Sequence, residues 1–496
     1  MLNSALLVSL FGLSAARHHL EHRATSGCYP QAANTNGDTL TVITTGETPG
    51  GFTAPPRGWN SWGIQDNPRT TPSYPSSLSG YPNETFILQQ CSVLAGDAYA
   101  NAGYTLCSID GGWDSSTTDD YGRIVQNSTL FDDMASLAST LHDMGLLLGI
   151  YSQPNVPCDA TNKTIYGTDI LIGSTFDGSE DTSGNCYFNY SNPDTQTWHD
   201  TQIALWANWG VDMIKLDYIT PGSQIGDSGE PSNTSAAAIA YHQAIINSGR
   251  QIRLDLSANV CRNSPYLGLW EANADSIRVA VDINAAGSSK FLGSMWKVQG
   301  TIEQYRQYIN QVLEANTAMV VYPDLDNMFI GNGENVTGIT DGQRITIASH
   351  WIGASANLIL GSDMTSIDDL GLQLITSASS ISAAEFCATY PMQPRNPGTG
   401  SNQAMQLQAW LSGPDGDGNA YVLLTNLGEN EGRGGYDTVG TGNLTVTVSL
   451  ADLGLDGSSY AVTDVWNGTV TTVESGGSLS AVLDDGNSQF LQLTPA

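Results

Sequence analysis

Two short apolar runs in this chain each close on an acid: VDMIKLD at 211–217 and, 65 residues further on, IRVAVD at 277–282. A carboxylate at the mouth of a buried strand is costly to desolvate, so it needs a fixed partner or a chemical task. Asp217 and Asp282 are therefore the leading candidates for reactive groups, one to attack carbon as an anion and the other to give and take a proton. Each has a cation close in sequence. Lys215 shares the strand face of Asp217 and is expected to hold it ionised, while Arg278, in the same parity as Asp282, is expected to orient a substrate.

The elements that would position these groups follow from hydrophobic patterning. Between Pro56 and about Leu360, apolar runs alternate with longer amphipathic stretches, as parallel strands joined by helices do. The runs end at GWNSW (58–62), YTLCSID (104–110), LLLGIYS (146–152), VDMIKLD (211–217), IRLDLS (252–257), IRVAVD (277–282), AMVVYP (318–323) and NLILG (357–361). Eight of them predict an α/β fold with a (β/α)8 barrel over residues 55–390; no glycine-rich phosphate loop follows the first strand, which disfavours an open doubly wound sheet. Helices are expected over Asn83 to Gly103, Asp132 to Gly145 and Asp194 to Gly210, each with a capping residue and a closing glycine. Residues 17–54 read as a segment wrapped onto the body. Residues 400–496 change texture to short alternating runs such as AYVLLTN and LTVTVSL, the pattern of an antiparallel β-sandwich.

In such a barrel the strand ends share one mouth. That places Trp59, Trp62, Asp110, Tyr151, Lys215, Asp217, Asn259, Arg278, Asp282, Asp324 and Asp326 around an acid-rich, aromatic-lined cup. Rings that stack on C–H patches, with carboxylates and cations that bind hydroxyls, suit a sugar. Two carboxyl groups about 5–5.5 Å apart would hydrolyse a glycoside with retention, one as nucleophile and one as acid and then base. The bland alternative for each acid is a salt bridge on the barrel rim. No Gly-x-Ser-x-Gly elbow follows a strand, and His142, His199, His242 and His350 sit in helical patterns as satisfied structural histidines rather than as a metal site. Asp324 and Asp326 have a second reading as calcium ligands. No cofactor is expected.

The chain carries 49 acidic against 17 basic residues, a net charge of −32, which repels nucleic acid and anionic membranes alike. Residues 1–16, with an apolar stretch from Leu2 to Ala16, read as an export signal. Glycosylation sequons at Asn83, Asn127, Asn162, Asn189, Asn233, Asn335, Asn443 and Asn467 agree with secretion. Seven cysteines in an oxidising compartment should pair, leaving at least one over.

Read in order, PPRGWNSW, AGYTLCSIDGGW, LLLGIYSQPNVPC, WANWGVDMIKLDY, IRVAVDI, PDLDNMFIGN and ASANLILGSDM resemble the successive strand motifs of glycoside hydrolase family 27, the α-galactosidase or melibiase family, and DVWNGT resembles its C-terminal sandwich. The resemblance implies that Asp217 is the nucleophile and Asp282 the acid/base. It implies that Trp62, Asp110, Tyr151, Lys215 and Arg278 line the sugar subsite, and that Cys158 pairs with Cys186. The chain departs from the family at Asp110-Gly111-Gly112-Trp113, where Asp-Asp-Cys-Trp is usual, and at LDLSANVCRN, where Asn259 stands in for the usual contact to the sugar's 2-position. The expectation is a secreted retaining α-galactosidase acting on an oligo- or polysaccharide. The alternatives are a β-L-arabinopyranosidase, an isomalto-dextran hydrolase, or a sugar-binding protein without catalysis.

Overall fold

The computed structural model describes residue 28 and residues 40–66, 81–223, 229–284, 292–315, 317–395 and 404–496. The expected export signal lies outside the described residues, as does most of the 17–54 segment before Leu40. Strands form at all eight expected places: β1 (Arg57–Asn60), β2 (Leu106–Ile109), β3 (Leu147–Ser152), β4 (Val211–Leu216), β5 (Arg253–Leu256), β6 (Ser276–Arg278), β7 (Tyr322–Asp324) and β8 (Leu358–Leu360). They pair in parallel in the order β7-β6-β5-β4-β3-β2-β1-β8. The two end strands meet through a parallel bridge between Met328 and Leu360 and a 3.1 Å bond from the Asn357 amide to the Pro323 carbonyl, which curls the sheet into a barrel.

Two strands are displaced from their expected runs. β6 stops at Arg278, so Asp282 stands on the loop beyond it and the parity argument that linked the two does not apply. β7 begins at Tyr322, and two residues after its end Asp326 adopts a left-handed backbone (φ 78°), which turns the chain out of the sheet. The first expected helix is also broken. Asn83 caps Glu84–Leu94, but Gly96 is extended, and a short helix, Asp97–Asn101, follows. Met134–Asp143 is capped by Asp133, and Asp194–Trp209 ends at Gly210, whose φ of 98° favours glycine.

Strand alternation sorts the barrel lining into layers. Leu106, Met213 and Ile359 make a small apolar layer. Two residues further along β2 and β4 the lining becomes Ser108 and Lys215, and two further again Asp110 and Asp217. A cavity of ≈ 20 Å³ lies among Ser108, Lys215, Asp255, Arg278, Asp324 and Asn357, room for about one water. On the outer face Leu148, Ile150, Ile214 and Leu216 join Trp198 and Trp206 in the main core.

The C-terminal strands are β9 (Leu407–Ser412), β10 (Ala420–Asn426), β11 (Leu444–Ser449), β12 (Ser459–Asp464), β13 (Val470–Glu474), β14 (Ser478–Leu483) and β15 (Ser488–Pro495). An antiparallel sheet runs β9-β10-β15-β12-β13, and β11 pairs with β14 across the sandwich. Alternation again decides the packing. Leu411, Val422, Leu424, Val446, Val448 and Leu493 fill the space between the sheets. Trp410 points the other way, stacking on Tyr305 and meeting His350 edge-on, each at 5.7 Å between ring centroids. Every residue of β10 is buried.

Three disulfides close the cysteine arithmetic: Cys28–Cys261, Cys91–Cys107 and Cys158–Cys186, with buried Cys387 as the free thiol. His350 departs from the expectation of a satisfied histidine, because neither ring nitrogen has a partner among the described residues; burial pushes it down to about 3, so it stays neutral. His199 Nδ1 donates to the Thr195 carbonyl (2.8 Å), and the ring is likewise pushed down by burial, to about 4.

Asp255 is a buried acid of the barrel interior. Its Oδ1 accepts from Ser276 Oγ (2.7 Å) and Asn357 Nδ2 (3.4 Å). Burial, then the neighbouring Asp324, push its carboxyl up to about 7 against the opposing pull of Arg278 and Lys215. A carboxyl raised on folding contributes stability that is fully present below its unfolded value near 4 and is lost as pH rises through about 7. Thermal melts from pH 4 to 7.5 should therefore fall less steeply for Asp255→Asn than for the wild type; parallel curves would refute this account.

Candidate active site

Asp217 follows the last residue of β4, its amide bonded to the Ser152 carbonyl at 2.9 Å. Its Oδ1 accepts two backbone N–H bonds, from Tyr218 (2.8 Å) and Ala258 (3.0 Å). Tyr218 reaches that geometry with a left-handed φ of 55°, an unfavourable state for a side-chain-bearing residue and one found where a site dictates the backbone. With Oδ1 committed, Oδ2 has no donor among the described residues. A carboxylate held in this way has a fixed orientation and one oxygen to react with.

Lys215 does not serve Asp217 first. Its ammonium is 2.8 Å from Asp110 Oδ2, with the two side chains 13% and 3% exposed. Burial by itself would lower the lysine, but Asp110, followed by Asp217, raises it well above its ordinary value. The correction is geometric, since β2 and β4 both point these residues inward and the lysine bridges them. Asp110 is fixed by Ser61, whose Oγ accepts its amide, and in turn accepts the Gly111 amide at 2.9 Å. Tyr151 lies beneath, its ring 5.7 Å from the Lys215 nitrogen and its hydroxyl accepting from Gln153 Nε2 at 2.7 Å. Burial, then Asp217, raise that phenol strongly, so it stays protonated.

The second acid is built around Arg278, which is 2% exposed. Nη2 donates to Asp282 Oδ1 at 2.6 Å and lies 2.9 Å from Asp326 Oδ1; Nη1 lies 3.5 Å from Asp324 Oδ2. The arginine, expected to orient the sugar, is engaged by three acids. The setting of Asp282 favours its charged form. Burial raises it, but Arg278, with Lys215 and Lys297, outweighs burial and holds the carboxyl below its usual range. Asp324 and Asp326 turn onto the guanidinium, and no group of acids, histidines or cysteines able to hold a metal occurs among the described residues.

Both leading carboxyl groups act on the same two cations: Asp217 and Asp282 each raise Lys215 and Arg278. Asn259, left-handed at φ 51°, sits on the loop whose Ala258 amide grips Asp217, and the next amide, that of Val260, bonds the Arg278 carbonyl at 3.0 Å. Trp62 opens the short helix after β1, half-buried, its amide bonded to Asn60 Oδ1 at 2.9 Å. Cys158 and Cys186 are bonded across the loop after β3. A side chain at Gly111 would have room, its Cβ 3.6–3.8 Å from the Tyr151 ring, whereas one at Gly112 (φ 96°) would meet Tyr81 at 2.3 Å.

Sequence reasoning placed Asp326 in the cup but gave it no contact with Arg278 or with the backbone after Asp282. Its Oδ2 accepts the Ile283 amide at 2.6 Å, directly after Asp282. The Asp-Leu-Asp spacing beyond β7 was the available signal, and it left calcium binding open as a second reading.

Comparison with known proteins agrees with this geometry. The family model described as alpha galactosidase A matches residues 54–384, and that of the alpha galactosidase C-terminal beta sandwich domain matches 405–493. A relative from Emericella nidulans that carries an alpha-galactosidase name is 54% identical over 407 residues, 81% of this chain and 80% of that protein. Alpha-galactosidase 3 of Hypocrea jecorina is 46% identical over 472 residues, 94% of this chain and 75% of that protein. A solved β-L-arabinopyranosidase from Geobacillus stearothermophilus shares the fold at 20% identity, with a TM-score of 0.72 over 90% of this chain and 97% of its own. With both family models matched in order along the chain, it belongs to glycoside hydrolase family 27, the α-galactosidase family, and is a glycoside hydrolase.

Proposed function

We propose that this protein is a secreted retaining exo-glycosidase that removes terminal α-D-galactosyl units from oligo- or polysaccharides. The observation that supports the reading is that Arg278, 2.6 Å from Asp282, is bonded through its carbonyl by Val260 of the same short loop whose Ala258 amide holds Asp217. Asp217 Oδ2 attacks the anomeric carbon, and the glycosidic oxygen leaves with a proton from Asp282. The product is a sugar ester of Asp217. Asp282, now ionised, takes a proton from water, whose oxygen attacks the same carbon and frees Asp217. Lys215 holds Asp110 against the sugar's hydroxyls, and the backbone donors at Oδ1 fix the orientation of the nucleophile between cycles. Disulfides and sequons support export.

A second sugar deserves a place because of Gly111. Where the family places a second gripping aspartate, this chain leaves open space over Tyr151. A pocket without that carboxylate discriminates less at the sugar's 6-hydroxymethyl, so a β-L-arabinopyranoside, which has the same ring without that group, is the alternative substrate.

Asp217→Asn should lower kcat by roughly 10⁴-fold or more while leaving the melting temperature and sugar binding close to wild type. NMR of the first sugar released should show the anomer of the substrate; the opposite anomer would reject retention. Gly111→Asp, whose Cβ would lie no nearer than 3.6 Å to a neighbour, should raise the kcat/KM ratio of aryl α-D-galactoside to aryl β-L-arabinopyranoside by on the order of tenfold. An unchanged ratio would remove Gly111 from the account of specificity.

A further inference from the structure

We propose that Asp326 is a positioning residue for the acid step: it retains Arg278 and the backbone after Asp282, so that Asp282 can release the arginine and carry the proton for the leaving oxygen. This rests on Asp282 as the acid/base.

The difficulty that Asp326 resolves is visible in the geometry. An acid catalyst needs its proton, yet Asp282 is ion-paired to Arg278 at 2.6 Å. The Asp282 side chain is 36% exposed and faces the mouth, whereas the arginine is 2% exposed and cannot follow it outward. Protonating Asp282 would strand a buried guanidinium unless another anion stood ready, and a stranded buried charge is strongly unfavourable. Asp326 is that anion. Its side chain is 2% exposed, and the same Arg278 nitrogen that reaches Asp282 lies 2.9 Å from it.

Asp326 also controls where Asp282 can go. Its Oδ2 accepts the Ile283 amide, and the next residue, Asn284, is held through its side chain by Asp66 (2.7 Å) and through its carbonyl by Lys297 (2.9 Å). The left-handed backbone of Asp326 is over-determined. Its amide donates to Asp324 Oδ1 (2.8 Å), its carbonyl accepts from Trp351 Nε1 (2.7 Å), and its Oδ1 accepts the Asn327 amide (2.7 Å).

The charges that face this pair are Arg278, Lys215 and Lys297 on the Asp282 side, and Arg278, Asp282 and Asp324 on the Asp326 side, with Asp217 and Asp255 further around the arginine. Burial, opposed by Arg278 and reinforced by Asp282 and Asp324, pushes Asp326 up, while Asp282 is held down. Two acids on one arginine titrate as a pair, and the higher step belongs to both. Removing the Asp326 charge leaves only the more distant Asp324, at 3.5 Å, to share Arg278 with Asp282, which lowers the pH at which Asp282 loses its proton.

The experiment is the pH dependence of kcat/KM for Asp326→Asn, whose amide oxygen can still accept from Ile283, on two substrates. One is an unactivated oligosaccharide, which needs a proton donor; the other is a dinitrophenyl glycoside, which does not. The expected result is a basic limb moved down by roughly one pH unit or more with the oligosaccharide. With the dinitrophenyl glycoside kcat/KM should stay within about threefold of wild type, since no acid assistance is lost. Asp326→Glu should restore the limb. Equal slowing on both substrates with an unmoved limb would overturn the proposal. Should Asp326→Asn fail to fold, carboxyl NMR of the wild-type protein decides: Asp282 and Asp326 are expected to share a two-step titration, and independent single-step curves would overturn it. Asp282→Asn serves as the control for the underlying reading. If it slows kcat/KM equally on both substrates, the acid/base assignment fails rather than the role of Asp326.

Discussion

Arg278 enters the barrel from β6 and meets three carboxyl groups, those of Asp282, Asp324 and Asp326, with almost no access to water. Lys215 does the same for Asp110 from the other side. A barrel lining is a poor place for charge, and an acid there without a partner would be neutral rather than reactive. Asp255 illustrates the point, since its nearest direct partners are the hydroxyl of Ser276 and the amide of Asn357, and its carboxyl is pushed up. The two cations thus engage Asp110, Asp282, Asp324 and Asp326 directly and leave Asp255 to neutral partners, and the arrangement of the mouth depends on that division.

The scaffold supports this by simple periodicity. Stepping two residues along β2 passes from Leu106 through Ser108 to Asp110, and along β4 from Met213 through Lys215 to Asp217, so an apolar layer gives way to polar groups and then to acids. Outer faces of the same strands carry Leu148, Ile150 and Ile214 into the main core. Position within the layer, rather than residue type alone, decides whether a side chain packs or reacts.

This layering explains which parts of the site could be read from sequence. The eight strands were legible because each is a short apolar run bounded by turns, and Asp217 because it closes such a run. Pairings across the barrel were not. Lys215 looks like the partner of Asp217 by spacing, but the strand neighbours place Asp110 within its reach. Arg278 and Asp282 seemed to share a strand face, yet β6 ends between them and they meet through a turn. Asp326 was the hardest case. Its role depends on a left-handed backbone and on the Ile283 amide, and neither leaves a mark in composition or periodicity.

The strand β10 is covered on both faces, by the opposite sheet of the sandwich on one and, through Tyr421 and Leu423, by the core of the barrel on the other. Trp410 of the neighbouring strand rests on Tyr305 of a barrel helix. Either half produced alone would show the solvent a wide oily stripe, of the kind that draws copies of a protein together. For solubility the two halves therefore behave as one object, and neither could be shed without leaving the other adhesive.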